Sequence, residues 1–147
     1  MATFARILAA TDFSEASRRA LALAAALARE AGAALTVVHV CEVPGYRDEG
    51  PIPYDFATPL VADAQARLDA TLRDLERECP GVKGVLKLGT PWQEILATVP
   101  EARADLVVMG TQGRRGVAHA LLGSVAERVL RLSPVPVLTV RARGGGD

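Results

Sequence analysis

The chain has 147 residues, half of them hydrophobic, and its 17 basic side chains balance 17 acidic ones. A chain of this length fits one domain, here taken as residues 1–147, that buries about 70% of the surface its unfolded form exposes. The zero formal charge excludes the broad positive field that draws proteins to nucleic acids or anionic membranes.

The N-terminal apolar run contains Arg6 and ends at Thr11 and Asp12, which is too soon for a signal peptide. No other window is long and uncharged enough to span a bilayer, so we expect a cytoplasmic protein without a membrane partner. Cys41 and Cys79 lack a Cys-x-x-Cys spacing, and we interpret them as reduced thiols rather than as zinc ligands or a disulfide.

The first half of the chain alternates strand and helix patterns. Residues 5–10 form a short apolar run, and apolar residues recur at helical spacing over 14–31. Gly32 follows at a common left-handed C-cap position, before the β-branched strand 35–40. Residues 43–59 contain four prolines and two glycines, which predicts an irregular connection of a length typical of functional or mobile loops.

The second half repeats the alternation. Thr90, Pro91 and Gln93 predict a capping box for a third helix. The other expected segments are a helix at 60–78, strands at 82–88, 105–109 and 135–141, a helix at 124–132 and a flexible tail at 142–147. Five strands alternating with four helices predict an α/β fold with a parallel sheet covered on both faces. Ligands bind such sheets beyond the carboxyl ends of the strands, where the strand order reverses.

A glycine-rich segment follows the fourth strand directly. Gly110, Gly113, Gly123 and Ser124 form the pattern Gly-x2-Gly-x9-Gly-Ser. Glycines let a backbone approach phosphate oxygens closely, and the N–H groups at a helix start add a second anion cradle. The segment therefore predicts phosphate binding, although Ser124 and Glu127 also match a capping box that would start a helix with or without a ligand.

Other polar residues near the expected site allow two readings each. Asp12 follows the first strand, where a carboxylate could order Mg²⁺ or bind a nucleotide, or could simply cap the next helix. Arg114 and Arg115 could hold phosphates or lie in solvent. His39 and His119 have no partner at metal or triad spacing and are interpreted as a strand residue and a loop residue. Neither a Walker A loop nor a dinucleotide fingerprint is present.

With these residues in view, the chain closely resembles the universal stress protein family, whose ATP-binding members carry the same Gly-x2-Gly-x9-Gly-[Ser/Thr] motif. The resemblance spans nearly the whole chain, including the opening 7–14, the strand 105–109 with Gly110, and the ending 134–140. It implies the strand order 3-2-1-4-5, a Rossmann-like sheet of the adenine nucleotide alpha hydrolase type.

The resemblance also implies a site and an assembly. Adenine would lie near Ala10, Thr11 and Val40, and the ribose near Met109 and Gly110. Phosphates would rest on Gly113, Arg114, Gly123, Ser124 and Val125. A homodimer would form through the last strand, Val137–Val140, which would otherwise be an exposed apolar edge.

These features favour a nucleotide-responsive homodimeric stress protein that binds ATP, or AMP or ADP, with or without Mg²⁺, and signals to a protein partner that the sequence does not name. The first alternative is a slow ATPase or phosphotransferase, for which Asp12 is the obvious catalytic candidate. The second is a dimerisation module without nucleotide, which the intact glycines argue against.

Overall fold

The computed structural model of the chain describes residues 3–42, 54–112 and 122–142, with the side chains of 54–58 excluded. The elements within these ranges are β1 (Arg6–Ala10), α1 (Glu15–Ala31), β2 (Ala34–Cys41), α2 (Tyr54–Glu76), β3 (Lys83–Leu88), α3 (Pro91–Glu101), β4 (Leu106–Gly110), α4 (Ser124–Leu132) and β5 (Val137–Val140). All five strands pair in parallel in the order β3-β2-β1-β4-β5. The predicted fold class and strand order are confirmed.

The core is divided into two layers by the sheet. Because side chains alternate across a strand, Ile7 and Ala9 of β1 face α1 and α2, whereas Leu8 and Ala10 face α3 and α4. All four side chains are buried. Since β1 is the central strand and is covered on both faces, nearly every position in it is apolar.

Helix α1 has the boundaries that its sequence predicts. Ser14 is the N-cap, and its hydroxyl accepts a hydrogen bond from the Ser17 N–H at 3.3 Å. Gly32 ends the helix in the left-handed conformation with φ of 65°, which glycine adopts without the steric cost that a Cβ imposes.

Helix α2 begins earlier than predicted. The expectation that residues 43–59 form an irregular connection is wrong for residues 54–59, because α2 starts at Tyr54 and contains Pro59. A proline one and a half turns into a helix removes a single backbone hydrogen bond, and burial of Ala64 and Leu68 stabilises the helix against that loss. Residues 43–53, and 143–147 of the expected tail, lie outside the described residues.

Neither predicted capping box forms. Thr90 is the N-cap of α3 and Pro91 its first residue, but the Thr90 side chain makes no capping hydrogen bond. In α4 the N-cap is Gly123 rather than Ser124. The Gly123 N–H donates to the Thr111 carbonyl at 2.5 Å, which fixes extended backbone at Gly123 and makes Ser124 the first helical residue.

The residue that follows the C-cap of helix α3 has a left-handed backbone conformation although it is not a glycine. Arg103 has φ of 52°, while its N–H donates to the Pro100 carbonyl and the Ala104 N–H donates to the Val99 carbonyl. This is the hydrogen-bond pattern of a Schellman motif, in which glycine is favoured at the position of Arg103. Arg103 is exposed, so its side chain contributes little packing there.

We therefore expect Arg103→Gly to raise the free energy of unfolding by about 1 kcal/mol, because it removes the steric cost of a Cβ in the left-handed region. Urea denaturation measures the change. Arg103→Ala is the matched control, since it removes the same charge but keeps a Cβ, and it should give no gain. An equal gain in both variants would attribute the effect to charge and contradict the backbone explanation.

Candidate functional site

The strands separate at the carboxyl end of the sheet, between β1 and β4. The paired residues of these strands end at Ala9 and Val108. Beyond that point, the Thr11 N–H donates to the Val38 carbonyl of β2 and the Thr111 N–H donates to the Val140 carbonyl of β5, each at 2.9 Å. The segments that follow β1 and β4 thus lead away from each other and leave a crevice, as expected where strand order reverses.

Three of the predicted site residues share one wall of this crevice. Ala10, Val40 and Met109 lie at or next to the ends of β1, β2 and β4, and all three belong to the apolar layer on the α3 and α4 face. They are buried, with 7%, 9% and 5% of their surface exposed. The structure therefore brings together three of the five residues that the family resemblance assigns to an adenine and ribose subsite.

The N-terminus of α4 lies at the end of β4. The bond from the Gly123 N–H to the Thr111 carbonyl holds the start of the helix one residue beyond the strand. Ser124 is exposed there, and Val125 is half-buried against the α3 and α4 layer. The first N–H groups of a helix are free of intrahelical partners and carry partial positive charge, so this end can accept an anion.

The backbone of Val40 faces the same region. The Val38 carbonyl accepts from Thr11 on the β1 side, whereas the Cys41 carbonyl accepts from the Gly89 N–H on the β3 side at 3.3 Å. Because peptide groups alternate along a strand, the N–H and C=O of Val40 face the β1 side, as those of Val38 do. Among the described residues, the bond from Thr11 to Val38 is the last between the backbones of β1 and β2.

A compact polar turn connects β1 to α1. Thr11 is buried to 5% exposure, and its hydroxyl lies 3.1 Å from the Ser17 hydroxyl and accepts from the Phe13 N–H at 3.0 Å. The Asp12 carboxylate accepts from the Ser14 N–H at 3.0 Å. The alternative in which Asp12 is the N-cap of α1 is therefore wrong, because Ser14 is the cap.

His39 contacts this turn, a contact that the sequence interpretation missed. It lies in β2 as predicted, but its Nδ1 is 2.8 Å from the Thr11 carbonyl oxygen, and its ring centroid is 4.4 Å from that of Phe13. Since a carbonyl only accepts hydrogen bonds, Nδ1 carries a proton. The available signal was a polar ring on the strand face that otherwise carries Leu35 and Val37.

The packing of α1 on β4 requires a glycine at position 110. A Cβ at this position would lie 2.8 Å from the Ala16 Cβ and 2.9 Å from the Ala16 carbonyl carbon. The first glycine of the motif therefore allows α1 to pack directly on the end of β4, with or without a ligand.

The two cysteines, Cys41 and Cys79, are free and buried. Burial, followed by the nearby carboxylates, raises the pKa of both thiols, so they stay protonated and weakly nucleophilic at neutral pH. Among the described residues, no group of three His, Cys, Asp or Glu side chains could hold a metal ion. Gly113, Arg114, Arg115 and His119 lie outside the described residues.

Fold and crevice together define the chain as an α/β protein of the class that takes ligands at the switch point of a doubly wound sheet. The model of the universal stress protein family matches residues 3–141, and the chain belongs to that family. No helix in the described ranges is long and apolar enough to cross a membrane.

The chain is similar to individual members as well. It is 35% identical over 144 residues to the universal stress protein in the QAH/OAS sulfhydrylase 3′ region of Thermus aquaticus, covering 94% of this chain and 99% of that one. The structure of universal stress protein UspA from Lactobacillus plantarum has a TM-score of 0.82 at 25% identity, covering 96% and 100%. A universal stress protein from Archaeoglobus fulgidus, solved in complex with dAMP, has a TM-score of 0.63 at 24% identity, covering 95% and 99%.

Proposed function

We propose that the protein binds an adenine nucleotide in the crevice between β1 and β4 and acts as a nucleotide-responsive module of the stress response in the cytoplasm. The observation that carries the proposal is the anchoring of the α4 N-terminus, through Gly123 and Thr111, beside the separated strand ends. An anion-binding helix end and an apolar wall then share one crevice, which is the combination that a nucleotide requires.

The apolar wall suits a purine base. Ala10, Val40 and Met109 offer a buried apolar surface, and the N–H and C=O of Val40 offer one donor and one acceptor at its edge. Adenine carries an exocyclic donor beside a ring acceptor, so it can pair with both groups at once. The dAMP complex of the Archaeoglobus protein is consistent with an adenine base in this fold.

The phosphate side would be formed by the glycine motif. The proposed contacts are the backbone of Gly113, Gly123 and Val125, the Ser124 hydroxyl and the Arg114 guanidinium, with the ribose near Gly110. Thr11 would contribute contact area rather than a hydrogen bond, because its hydroxyl is engaged by Ser17 and Phe13, its N–H by Val38 and its carbonyl by His39. Asp12 would hold Mg²⁺ together with the phosphates, which makes it the residue to replace if ATP turnover is found.

We further propose that the active form is a homodimer that pairs through β5. Within the described part of the chain, β5 pairs only with β4, and Leu138 is 36% exposed. A parallel sheet that ends in a short apolar edge can continue into a second copy related by a twofold axis. A nucleotide that favours one dimer arrangement could then be read by a partner protein.

Ser124→Glu tests the nucleotide site without weakening the fold. A carboxylate at the first position of α4 favours the helix dipole, so the thermal midpoint should not fall. The same charge repels phosphates, so we expect the ATP affinity measured by calorimetry to decrease about tenfold, the AMP affinity to decrease less, and the adenosine affinity to stay unchanged.

Ala70→Glu is the matched control, because it adds the same charge at an exposed position of α2, on the opposite face of the sheet. It should leave all three affinities unchanged. Wild-type protein that binds no adenine nucleotide would contradict the proposed function. Equal losses for ATP and adenosine in the Ser124 variant would contradict the assignment of α4 to the phosphates. Catalytic release of ADP would favour the slow ATPase instead.

A further inference from the structure

The ladder of backbone hydrogen bonds between β1 and β2 ends one bond earlier than the parallel register allows. Thr11 donates its N–H to the Val38 carbonyl, and in a parallel pair the next bond runs from the Val40 N–H to the Thr11 carbonyl. That carbonyl instead lies 2.8 Å from Nδ1 of His39. A side chain thus takes the acceptor that would otherwise extend the ladder by one backbone bond.

The position of His39 explains how this happens. Side chains alternate across β2, so His39 projects from the same face as Val37, toward α1 and α2, whereas Val40 faces α3 and α4. The imidazole on the α1 face thus occupies the carbonyl that the Val40 N–H would use as its ladder acceptor. Within the part of the chain that the structure describes, the Val40 N–H then has no ladder acceptor, and it faces the crevice.

The surrounding contacts hold the arrangement in place. Phe13 has φ of 66°, a conformation that costs a residue with a Cβ about 1–2 kcal/mol. Its N–H is bound to the Thr11 hydroxyl and its ring packs against the His39 ring. These contacts hold the turn in the conformation in which the Thr11 carbonyl bonds to His39.

We propose that His39 is a positioning residue that keeps the Val40 N–H available to the base of the bound nucleotide. His39 does so from the other face of the sheet and need not touch the ligand. The inference deepens the proposed function and rests on it for its ligand, but the open hydrogen bond at Val40 can be measured without any ligand.

Two amide substitutions separate this role from simple packing. In His39→Asn the side-chain nitrogen occupies nearly the position of Nδ1, whereas in His39→Gln the nitrogen reaches the position of Nε2. Asn should therefore keep the bond to the Thr11 carbonyl and Gln should lose it. His39→Leu removes the donor altogether, and an unpaired Thr11 carbonyl would then accept from the Val40 N–H, because a buried acceptor without a partner is costly.

The first measurement is amide hydrogen exchange of Val40 by NMR in the absence of nucleotide. Rapid exchange is expected in the wild type and in His39→Asn, and protection by at least about tenfold is expected in His39→Leu and His39→Gln. Unchanged exchange at Val40 in the Leu and Gln variants would overturn the inference. The Asn and Gln pair decides the matter even if the Leu variant does not fold.

The second measurement is calorimetric binding of ATP and of inorganic tripolyphosphate, which engages only the phosphate side of the site. The Leu and Gln variants should bind ATP about tenfold more weakly and tripolyphosphate as the wild type does, and Asn should restore ATP binding. Equal losses for both ligands would overturn the inference. If wild-type protein binds no adenine nucleotide, the proposed function is wrong, and exchange at Val40 alone then supports or overturns the role of His39.

Discussion

Replacement of Gly110 with alanine is expected to lower the free energy of unfolding by about 3 kcal/mol, the upper end of the usual cost of overpacking. The added methyl group would lie 2.8 Å from the Ala16 Cβ, 2.9 Å from the Ala16 carbonyl carbon and 3.0 Å from the Ser17 N. Two of these atoms are backbone atoms in the first turn of α1, so α1 must move as a body to admit it.

That movement is opposed by the contacts at the start of α1. The Ser14 hydroxyl accepts from the Ser17 N–H, and the Ser17 hydroxyl binds both the Ser14 carbonyl and Thr11. A shift of α1 away from β4 would strain this network together with the apolar layer behind it. For a domain of this size the loss corresponds to a decrease in Tm of about 10 °C, which calorimetry measures.

Gly84→Ala is the control for Gly110→Ala. Its added methyl group would lie even closer to a neighbour, 2.5 Å from Cδ1 of Leu72. That atom is the end of a flexible side chain on a half-buried residue, and it can rotate away, so the loss should stay below about 1 kcal/mol. Equal losses at the two positions would show that α1 yields as easily as a side chain, contrary to the prediction.

Because Gly110 is needed for packing, its presence in the glycine motif is not by itself a sign of nucleotide binding. A variant at Gly110 that loses nucleotide binding would be uninformative, because the helix that closes one side of the crevice would have moved. Ser124 does not have this ambiguity, because its side chain is exposed at the start of α4 and its replacement need not move a helix. The nucleotide proposal is therefore tested at Ser124 and not at the first glycine.

The sequence predicted the elements of this fold well because most of them are set by local pattern. The helical spacing over α1, the glycine at its end and the apolar runs of the strands each have one physical reading. The order of the strands followed from family resemblance rather than from periodicity, since alternating strands and helices are compatible with several orders. Convergence of Ala10, Val40 and Met109 depends on that order.

The predictions that were wrong depend on contacts between distant residues. Ser124 and Gly123 are both acceptable N-caps, and the choice is made by the bond from Gly123 to Thr111, which local pattern does not reveal. Pro59 indicated a loop by its intrinsic preference, whereas α2 is stabilised by burial further along. The prediction of His39 as a strand residue is confirmed, but its bond to a carbonyl 28 residues away could not be inferred from spacing alone.

Thr11→Val is expected to lower the free energy of unfolding by about 2 kcal/mol, although valine has nearly the same shape as threonine. The Thr11 side chain is buried, and its hydroxyl serves the Phe13 N–H at 3.0 Å and the Ser17 hydroxyl at 3.1 Å. Valine leaves the part-buried Phe13 N–H without this acceptor, and a donor that loses its partner away from water costs about 1–3 kcal/mol. Urea denaturation at neutral pH measures the loss.

Thr98→Val makes the same chemical change at a second buried threonine, and the environment there predicts a different result. The Thr98 hydroxyl donates to the Glu94 carbonyl of its own helix at 2.6 Å, four residues earlier, where the helical N–H bond already satisfies that carbonyl. Removal of this hydroxyl leaves no polar group without a partner, so the change should stay within about 0.5 kcal/mol. Equal losses in the two variants would mean that the cost comes from the substitution itself. A loss confined to Thr11 would identify its hydroxyl as the acceptor that holds Phe13 in its left-handed conformation, and with it the turn that connects β1 to α1.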